Sequence, residues 1–297
     1  MVTGHTRAVA GSVIRPLRAA YRLVRRHVVY DTLLYPYASY RFRAVDRNAQ
    51  RSSTHTFTRF RRAPVQLEAL TGPVLDFLEN GSSSDSLSVL VFGGSTGAEA
   101  YTVASELLNR RGLLDFQITS SDLDEVLVRR AAEAVYTEAE IRASAAANDS
   151  FVNTTFKRLD GSTLQIREEL RSRVSFTQAD LLSEDLTRSF ESADLLFLQN
   201  VLCHMRPQQA EQAFRAVAQL MRPRSALFVD GMNLDLKIAL TKEIGLKPLT
   251  YRYREIYADT RRHIPLKWWR YYYGAEPMRL FVRDRVRRYS TIFLGDA

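Results

Sequence analysis

The feature that most constrains this chain is a short apolar run, Ser88 to Phe92, which ends in Gly93-Gly94-Ser95-Thr96-Gly97 and passes directly into the helical pattern of Ala98 to Leu108. A strand that turns through glycines into a helix opens a βαβ unit, because glycine adopts the backbone angles of so sharp a turn without steric cost. The alternation then repeats. Gln117 to Ser121 reads as a strand ending in Asp122 and is followed by a helix over Glu125 to Ala134. Ser175 to Gln178, Ala193 to Leu198 and Ala226 to Val229 read as three further strands, with a helix at Gln208 to Met221. Two β-like pieces, Asn153 to Arg158 and Ser162 to Ile166, flank Asp160-Gly161 and read as a hairpin inserted at about residues 150–178. The order predicts an α/β protein with a doubly wound sheet.

The flanks differ from this middle. Over residues 1–62 the net charge is +11, over 63–235 it is −10, and over 236–297 it is +8. Basic ends of this kind suit a polyanion or membrane-surface partner, but 37 of the 42 basic residues are arginine, so a compositional bias supplies the same charge. The chain carries no nucleic-acid recognition motif, and nucleic acid is not the expected partner. From Val13 to Arg43 apolar residues recur at near-helical spacing among arginines, which predicts an amphipathic helix for packing or partner binding. A second helix is expected over Val65 to Leu78, before the linker Asn80-Gly81-Ser82-Ser83-Ser84-Asp85. The division is therefore a basic, mainly helical region at 1–82 and an α/β domain at 83–297. No window approaches 18 uninterrupted apolar residues, so no membrane span is expected. With one cysteine, Cys203, and no secretory h-region, the expected compartment is cytoplasmic. In the tail, Thr250 to Tyr257 and Tyr289 to Leu294 read as an antiparallel edge pair. The connection at about 258–288 would then cap the site with Arg261, Arg262, His263, Trp268, Trp269, Arg270, Tyr271, Tyr272 and Tyr273.

In a doubly wound sheet the ligand lies beyond the carboxyl ends of the strands. The glycine turn there lacks both the G-x-G-x-x-G spacing of a dinucleotide site and the lysine of a P-loop, so alone it is equally a tight structural turn. Asp122 at the end of the second strand can accept both ribose hydroxyls of an adenosine-containing cofactor, or can cap the following helix. Taken together the two features favour the cofactor.

At this point the residues resemble the bacterial chemotaxis receptor methyltransferases, the CheR-like group that uses S-adenosylmethionine. The family turn S-T-G-E-E-P-Y-S is similar to Ser95-Thr96-Gly97-Ala98-Glu99-Ala100-Tyr101-Thr102, and S-D-I-D to Ser121-Asp122-Leu123-Asp124. The family's C-R-N-V-x-I-Y-F resembles Leu198-Gln199-Asn200-Val201-Leu202-Cys203-His204-Met205. Its N-L-L resembles Asp180-Leu181-Leu182, and its T-x-F-F-R resembles His55-Thr56-Phe57-Thr58-Arg59. Order and spacing agree over about residues 53–231.

The resemblance implies a Rossmann-like class I methyltransferase sheet with a helical N-terminal extension and S-adenosylmethionine as cofactor. Its site would comprise Gly93, Gly94, Ser95 and Gly97 of the turn, Glu99 and Asp122 on polar groups of the cofactor, and Asp180 and Leu181 beside the adenine. Gln199 and Asn200 would line the methionine end, while Arg59 and His204 would stand near the acceptor. No residue is assigned to a metal. Ala98 and Ala100 stand where the family has glutamate and proline, Gln199 replaces arginine and His204 replaces tyrosine, so the departures fall mostly on the acceptor half. The family reaction is carboxyl O-methylation, with a glutamate of a protein as acceptor, although these departures argue against a chemoreceptor substrate. Two alternatives stay open: O-methylation of a hydroxyl on a small molecule or glycan with His204 as base, and a non-catalytic cofactor-sensing or RNA-binding module. The methyl acceptor, a protein carboxylate or a small molecule, and the oligomeric state are not legible.

Overall fold

A computed structural model describes residues 58–80, 86–110, 115–262, 276 and 278–296. The helix expected over Val13 to Arg43 and the aromatic part of the expected cap, His263 to Tyr273, lie outside the described residues. The chain divides into two compact units, a smaller one of Met1–Ala49, Pro265–Tyr271 and Ala275–Arg285 and a larger one of Gln50–Ile264, Tyr272–Gly274 and Val286–Ala297. The sheet belongs to the larger.

Its strands are β1 (Ser86–Phe92), β2 (Asp115–Asp122), β3 (Val135–Thr137), β4 (Phe156–Arg158), β5 (Thr163–Ile166), β6 (Val174–Gln178), β7 (Ala193–Gln199), β8 (Met221–Asp230), β9 (Lys247–Pro248) and β10 (Ile292–Leu294). The main sheet runs β6-β2-β1-β7-β8-β10-β9. Its first five strands are parallel, while β10 pairs antiparallel with both β8 and β9. This is the Rossmann-like α/β arrangement that the alternating pattern predicts.

The period of two in each central strand explains the layers. Val89 and Val91 of β1, Leu195 and Phe197 of β7, and Ala226 and Phe228 of β8 enter one core cluster, while Leu90, Phe92, Leu196, Leu198, Leu227 and Val229 enter the other. Strands buried on both faces must read as continuous apolar runs, and these do. On the first face Phe197 and Phe228 stack with centroids 4.4 Å apart. The edge strand β6, Val-Ser-Phe-Thr-Gln, is mixed in character because much of it meets solvent.

The helices that matter for the site are α1 (Pro64–Ala69), α2 (Leu75–Glu79), α3 (Ala98–Asn109), α4 (Glu125–Glu133), α5 (Pro207–Ala218), α6 (Leu234–Glu243) and α7 (Tyr253–Arg262). Helix α3 is covered along most of its length, and both Ala98 and Ala100 are fully buried. Small side chains there let the helix pack closely. The single helix expected over Val65 to Leu78 is split by a wide turn at Leu70–Val74, with Gly72 off helical angles. Pro73 lacks the N–H that would bond back to the preceding turn, so the helical run from α1 to α2 is kinked there.

Other expectations need correction. Thr250 to Tyr257 is not a strand, since Tyr253 onward forms α7 and the edge partner of β10 is the two-residue β9. Tyr289 closes the helix Arg285–Tyr289 and does not open a strand. The helix begun near Gln208 stops at Ala218, and Met221 belongs to β8. Asn153 to Thr155 lie in the short helix Asp149–Thr155, so only Phe156–Arg158 forms the first arm of the hairpin. That hairpin is joined by β3 into a three-stranded sheet, β3-β5-β4, and Ser175 to Gln178 belongs to the main sheet.

Candidate functional site

The strand order reverses between β1 and β7, where chain connections leave in opposite directions and open a crevice at the carboxyl edge. Phe92 pairs with Ser121 on one side and Leu198 on the other, and Gln199 pairs with Asp230, so the ends of β2, β1, β7 and β8 share that edge. A cavity of about 700 Å³ opens there. This falls in the range of roughly 300–1,000 Å³ typical of small-molecule sites.

One end of the cavity is formed by β2 and the loop after β6. Asp122 accepts the Ser95 N–H on Oδ2 at 2.8 Å and the Asp124 N–H on Oδ1 at 3.1 Å. The capping role falls to Asp124, which accepts the Val126 N–H at 2.8 Å as the N-cap of α4. Each Asp122 oxygen thus keeps a lone pair for a vicinal diol. Leu181 is buried against the cavity, and Asp180 accepts the Leu182 N–H on Oδ1 at 2.9 Å. Leu123 and Leu127 add apolar surface.

The glycine turn forms the wall between the two ends. Gly93 and Ser95 line the cavity, whereas Gly94 and Gly97 stand outside its lining and shape the turn, with the Gly97 N–H closing on Gly94 O at 2.9 Å. Ser95 adopts left-handed angles, φ 51°, and its buried Oγ has no hydrogen-bond partner among the described residues. Non-glycine residues in that region are uncommon and cluster at ligand sites.

The far end is more heavily charged. Glu99, on the first turn of α3, accepts a hydrogen bond from Gln199 Nε2 at 2.8 Å. Burial pushes its carboxyl up from 4.5 to about 7, against the pull of the Arg62 guanidinium and with a further push from Asp230. Asn200, at φ 58°, accepts from Arg62 Nη2 at 3.1 Å and donates its N–H to the Asp230 carbonyl at 2.9 Å. Gly231 permits that approach: it has φ 70°, and a Cβ on it would lie 2.8 Å from Asn200 Cα.

The arginines of the Arg59-Phe60-Arg61-Arg62 run are sorted by the fold. Phe60 packs edge-on against Tyr136 and Phe156, with centroids 4.9 and 5.2 Å away. Arg61 turns away to pair with Glu106 at 2.9 Å. Arg59 and Arg62 line the cavity, and Arg59 makes no ion pair or hydrogen bond among the described residues. Arg62 and Asp230 were missed by sequence reading. A signal for Arg62 exists, since T-x-F-F-R also fits Thr58-Arg59-Phe60-Arg61-Arg62 with threonine, the first phenylalanine and arginine in place. His204 ends the 3₁₀ turn Leu202–His204, exposed at the cavity wall. Gln199, Asn200, Glu99, Asp122, Asp180 and Leu181 are all brought to the same cavity.

The donor set suits an adenosyl amino acid: a carboxylate for a ribose diol, an apolar slot for a purine, an unpartnered hydroxyl and a buried carboxyl near the glycine turn. Residues 56–243 match the family described as CheR methyltransferase, SAM binding domain. The chain belongs to the CheR methyltransferase family. The cofactor of this CheR-family domain is S-adenosylmethionine.

Chemotaxis protein methyltransferase 2 of Vibrio cholerae is 26% identical over 176 residues, which are 58% of this chain and 60% of that protein. The probable biofilm formation methyltransferase WspC of Pseudomonas aeruginosa is 26% identical over 195 residues, 65% of this chain and 44% of that one. The chain therefore spans about 60% or less of the length of these relatives. Among solved structures, the N-methyltransferase NodS from Bradyrhizobium japonicum, in complex with S-adenosyl-L-homocysteine, is 15% identical over 70% of this chain and 87% of that chain, with a TM-score of 0.37. Among the described residues no helix is long and apolar enough to cross a membrane, and no group of three His, Cys, Asp or Glu side chains could hold a metal ion.

Proposed function

We propose that this CheR-family protein methylates a carboxylate, forming a methyl ester on a protein side chain or on a small molecule. The observation that carries this reading is Arg59, a cavity-lining guanidinium with no anionic partner among the described residues, beside a second guanidinium, Arg62, already bonded to Asn200. When bound, S-adenosylmethionine supplies a methyl carbon on a positively charged sulfur that leaves as a neutral thioether. The acceptor carboxylate needs no base, because its ordinary pKa near ~4.3 leaves it ionised at neutral pH. Its oxygen forms the new bond to the methyl carbon as the carbon–sulfur bond breaks, and no proton moves.

What the protein contributes is position. Asp122 would hold the ribose, Leu181 and Asp180 the adenine, and Glu99 with Gln199 the amino-acid end. Arg59 would orient the carboxylate by charge-assisted hydrogen bonds. A hydroxyl acceptor would instead need deprotonation, and His204 is the candidate base; its exposure to solvent makes it a poorly shielded one. The reading is tested by incubating the chain with radiolabelled S-adenosylmethionine and cell lysate, then separating base-labile ester from other labelled products. Counts confined to a base-stable product would exclude carboxyl methylation.

A further inference from the structure

Asp230 ends β8, one strand beyond β7 and two beyond the glycine turn. The cofactor-type groups described above run the other way, from the loop after β6 across β2 and β1 to the end of β7. Asp230 therefore stands past them along the carboxyl edge and lines the cavity near Glu99, in the part that the cofactor reading leaves to the acceptor. It is 8% exposed. Its Oδ1 accepts the N–H of the next residue, Gly231, at 2.8 Å. Its Oδ2 has no hydrogen-bond partner among the described residues. The backbone on either side is pinned, because the Asp230 carbonyl accepts the Asn200 N–H and Gly231 abuts Asn200. The second oxygen of this largely buried carboxylate is open to the cavity, where it can accept from a donor that arrives with the ligand. An acceptor bringing only a carboxylate would set two anions in one crevice.

We propose that Asp230 receives an ammonium group carried by the acceptor, so that the preferred acceptor bears a free protonated amine near the carboxylate to be methylated. This rests on the carboxyl-methylation reading. Arg59 and Asp230 then act as a pair of opposite charges that reads a zwitterion, and Asp230 is a specificity-determining residue.

The test uses two probes that differ only in the amine, L-glutamyl-glycinamide and its N-acetyl derivative, each with a single carboxylate. The full chain is assayed at pH 7 with radiolabelled S-adenosylmethionine, and base-labile counts give kcat/KM for each probe. The wild type is expected to favour the free amine at least tenfold, and Asp230→Asn to bring the ratio close to one. Because the ratio is internal to each variant, a partly folded preparation does not distort it. Equal use of both probes, a preference for the acetylated one, failure of the free-amine probe to be labelled, or a preference that survives in Asp230→Asn would each overturn the proposal. So would an Asp230→Asn variant that loses affinity for S-adenosylhomocysteine with the ratio unchanged, since the residue would then serve the cofactor. Ester formation on a lysate acceptor without amine preference would sink the ammonium site and leave carboxyl methylation standing; no ester on any acceptor would remove both.

Discussion

Gln199 Nε2 donates to Glu99 Oε1 at 2.8 Å across the crevice between β7 and α3, joining the two elements that flank the reversal of strand order. A neutral amide is thus the direct partner of a buried carboxyl whose pKa is raised to about 7.

That shift has a sign for stability. Between 4.5 and about 7 the folded state holds the Glu99 proton more tightly than the unfolded chain does, so stability falls as pH rises through this window and the loss is complete above it. The ceiling is about 3 kcal/mol, from ~1.4 kcal/mol per unit. Glu99→Gln, which cannot ionise, is expected to show a smaller decrease in Tm between pH 5 and pH 8 than the wild type. Scanning calorimetry at the two pH values measures it, and parallel decreases would contradict the assignment.

Asp122 is expected to dominate affinity for the adenosyl group. Hydrogen bonds to a charged group contribute about 1.5–3 kcal/mol, so Asp122→Ala should weaken S-adenosylhomocysteine binding by roughly 10- to 100-fold. Part of that loss comes through Ser95 and Asp124, whose N–H groups rest on the same carboxylate. Titration calorimetry reads the change, and unaltered affinity would remove Asp122 from the site.

Arg59 and Arg61 should separate cleanly. Arg59→Ala, which breaks no hydrogen bond or ion pair among the described residues, is expected to leave Tm nearly unchanged while ester formation drops by about 100-fold. Arg61→Ala should do the opposite, leaving Glu106 without its 2.9 Å partner and costing about 1–2 kcal/mol. Denaturation curves and the radiolabel assay on both variants would show the crossover; a stability loss at Arg59 with unchanged turnover would contradict its role.

His204→Ala is expected to keep methyl transfer within about threefold and to follow the wild-type pH profile between pH 6 and 8, since an already ionised carboxylate gains nothing from a base. A rate that climbs through the histidine range in wild type and collapses in the variant would favour a hydroxyl acceptor instead.

Gly231→Ala puts a Cβ 2.8 Å from Asn200 Cα at a residue with φ 70°. The expected cost is about 1–3 kcal/mol of strain, with lower S-adenosylhomocysteine affinity because the loop after β7 must shift. Thermal unfolding with and without S-adenosylhomocysteine tests both effects.

Much of this was legible in the sequence where neighbours a few residues apart settle the outcome. Val89 to Phe92 and Leu195 to Leu198 are apolar throughout and lie in strands buried on both faces. Thr250 to Tyr257 misled because aromatic and charged residues alternate over a short window. Over a longer one, Tyr253, Ile256, Tyr257, Thr260 and Arg261 follow helical spacing, and the last four are buried in α7. Arg62 was hidden by a pattern that fits the same arginine-rich run at two registers.

The sequence by itself determined the order of the five parallel strands, the glycine turn and the carboxylate closing β2, because these follow from backbone angles and from side-chain period along a few consecutive residues. The tertiary structure alone decided which arginine of the 59–62 run meets Glu106 and which two enter the cavity, that Glu99 is held near neutrality, and that Asp230 keeps an oxygen unmatched. Charge and hydrogen bonding in a crevice depend on burial by segments far apart in the chain, such as Glu99 and Gln199, a hundred residues apart, and that distance leaves no periodic trace in the chain.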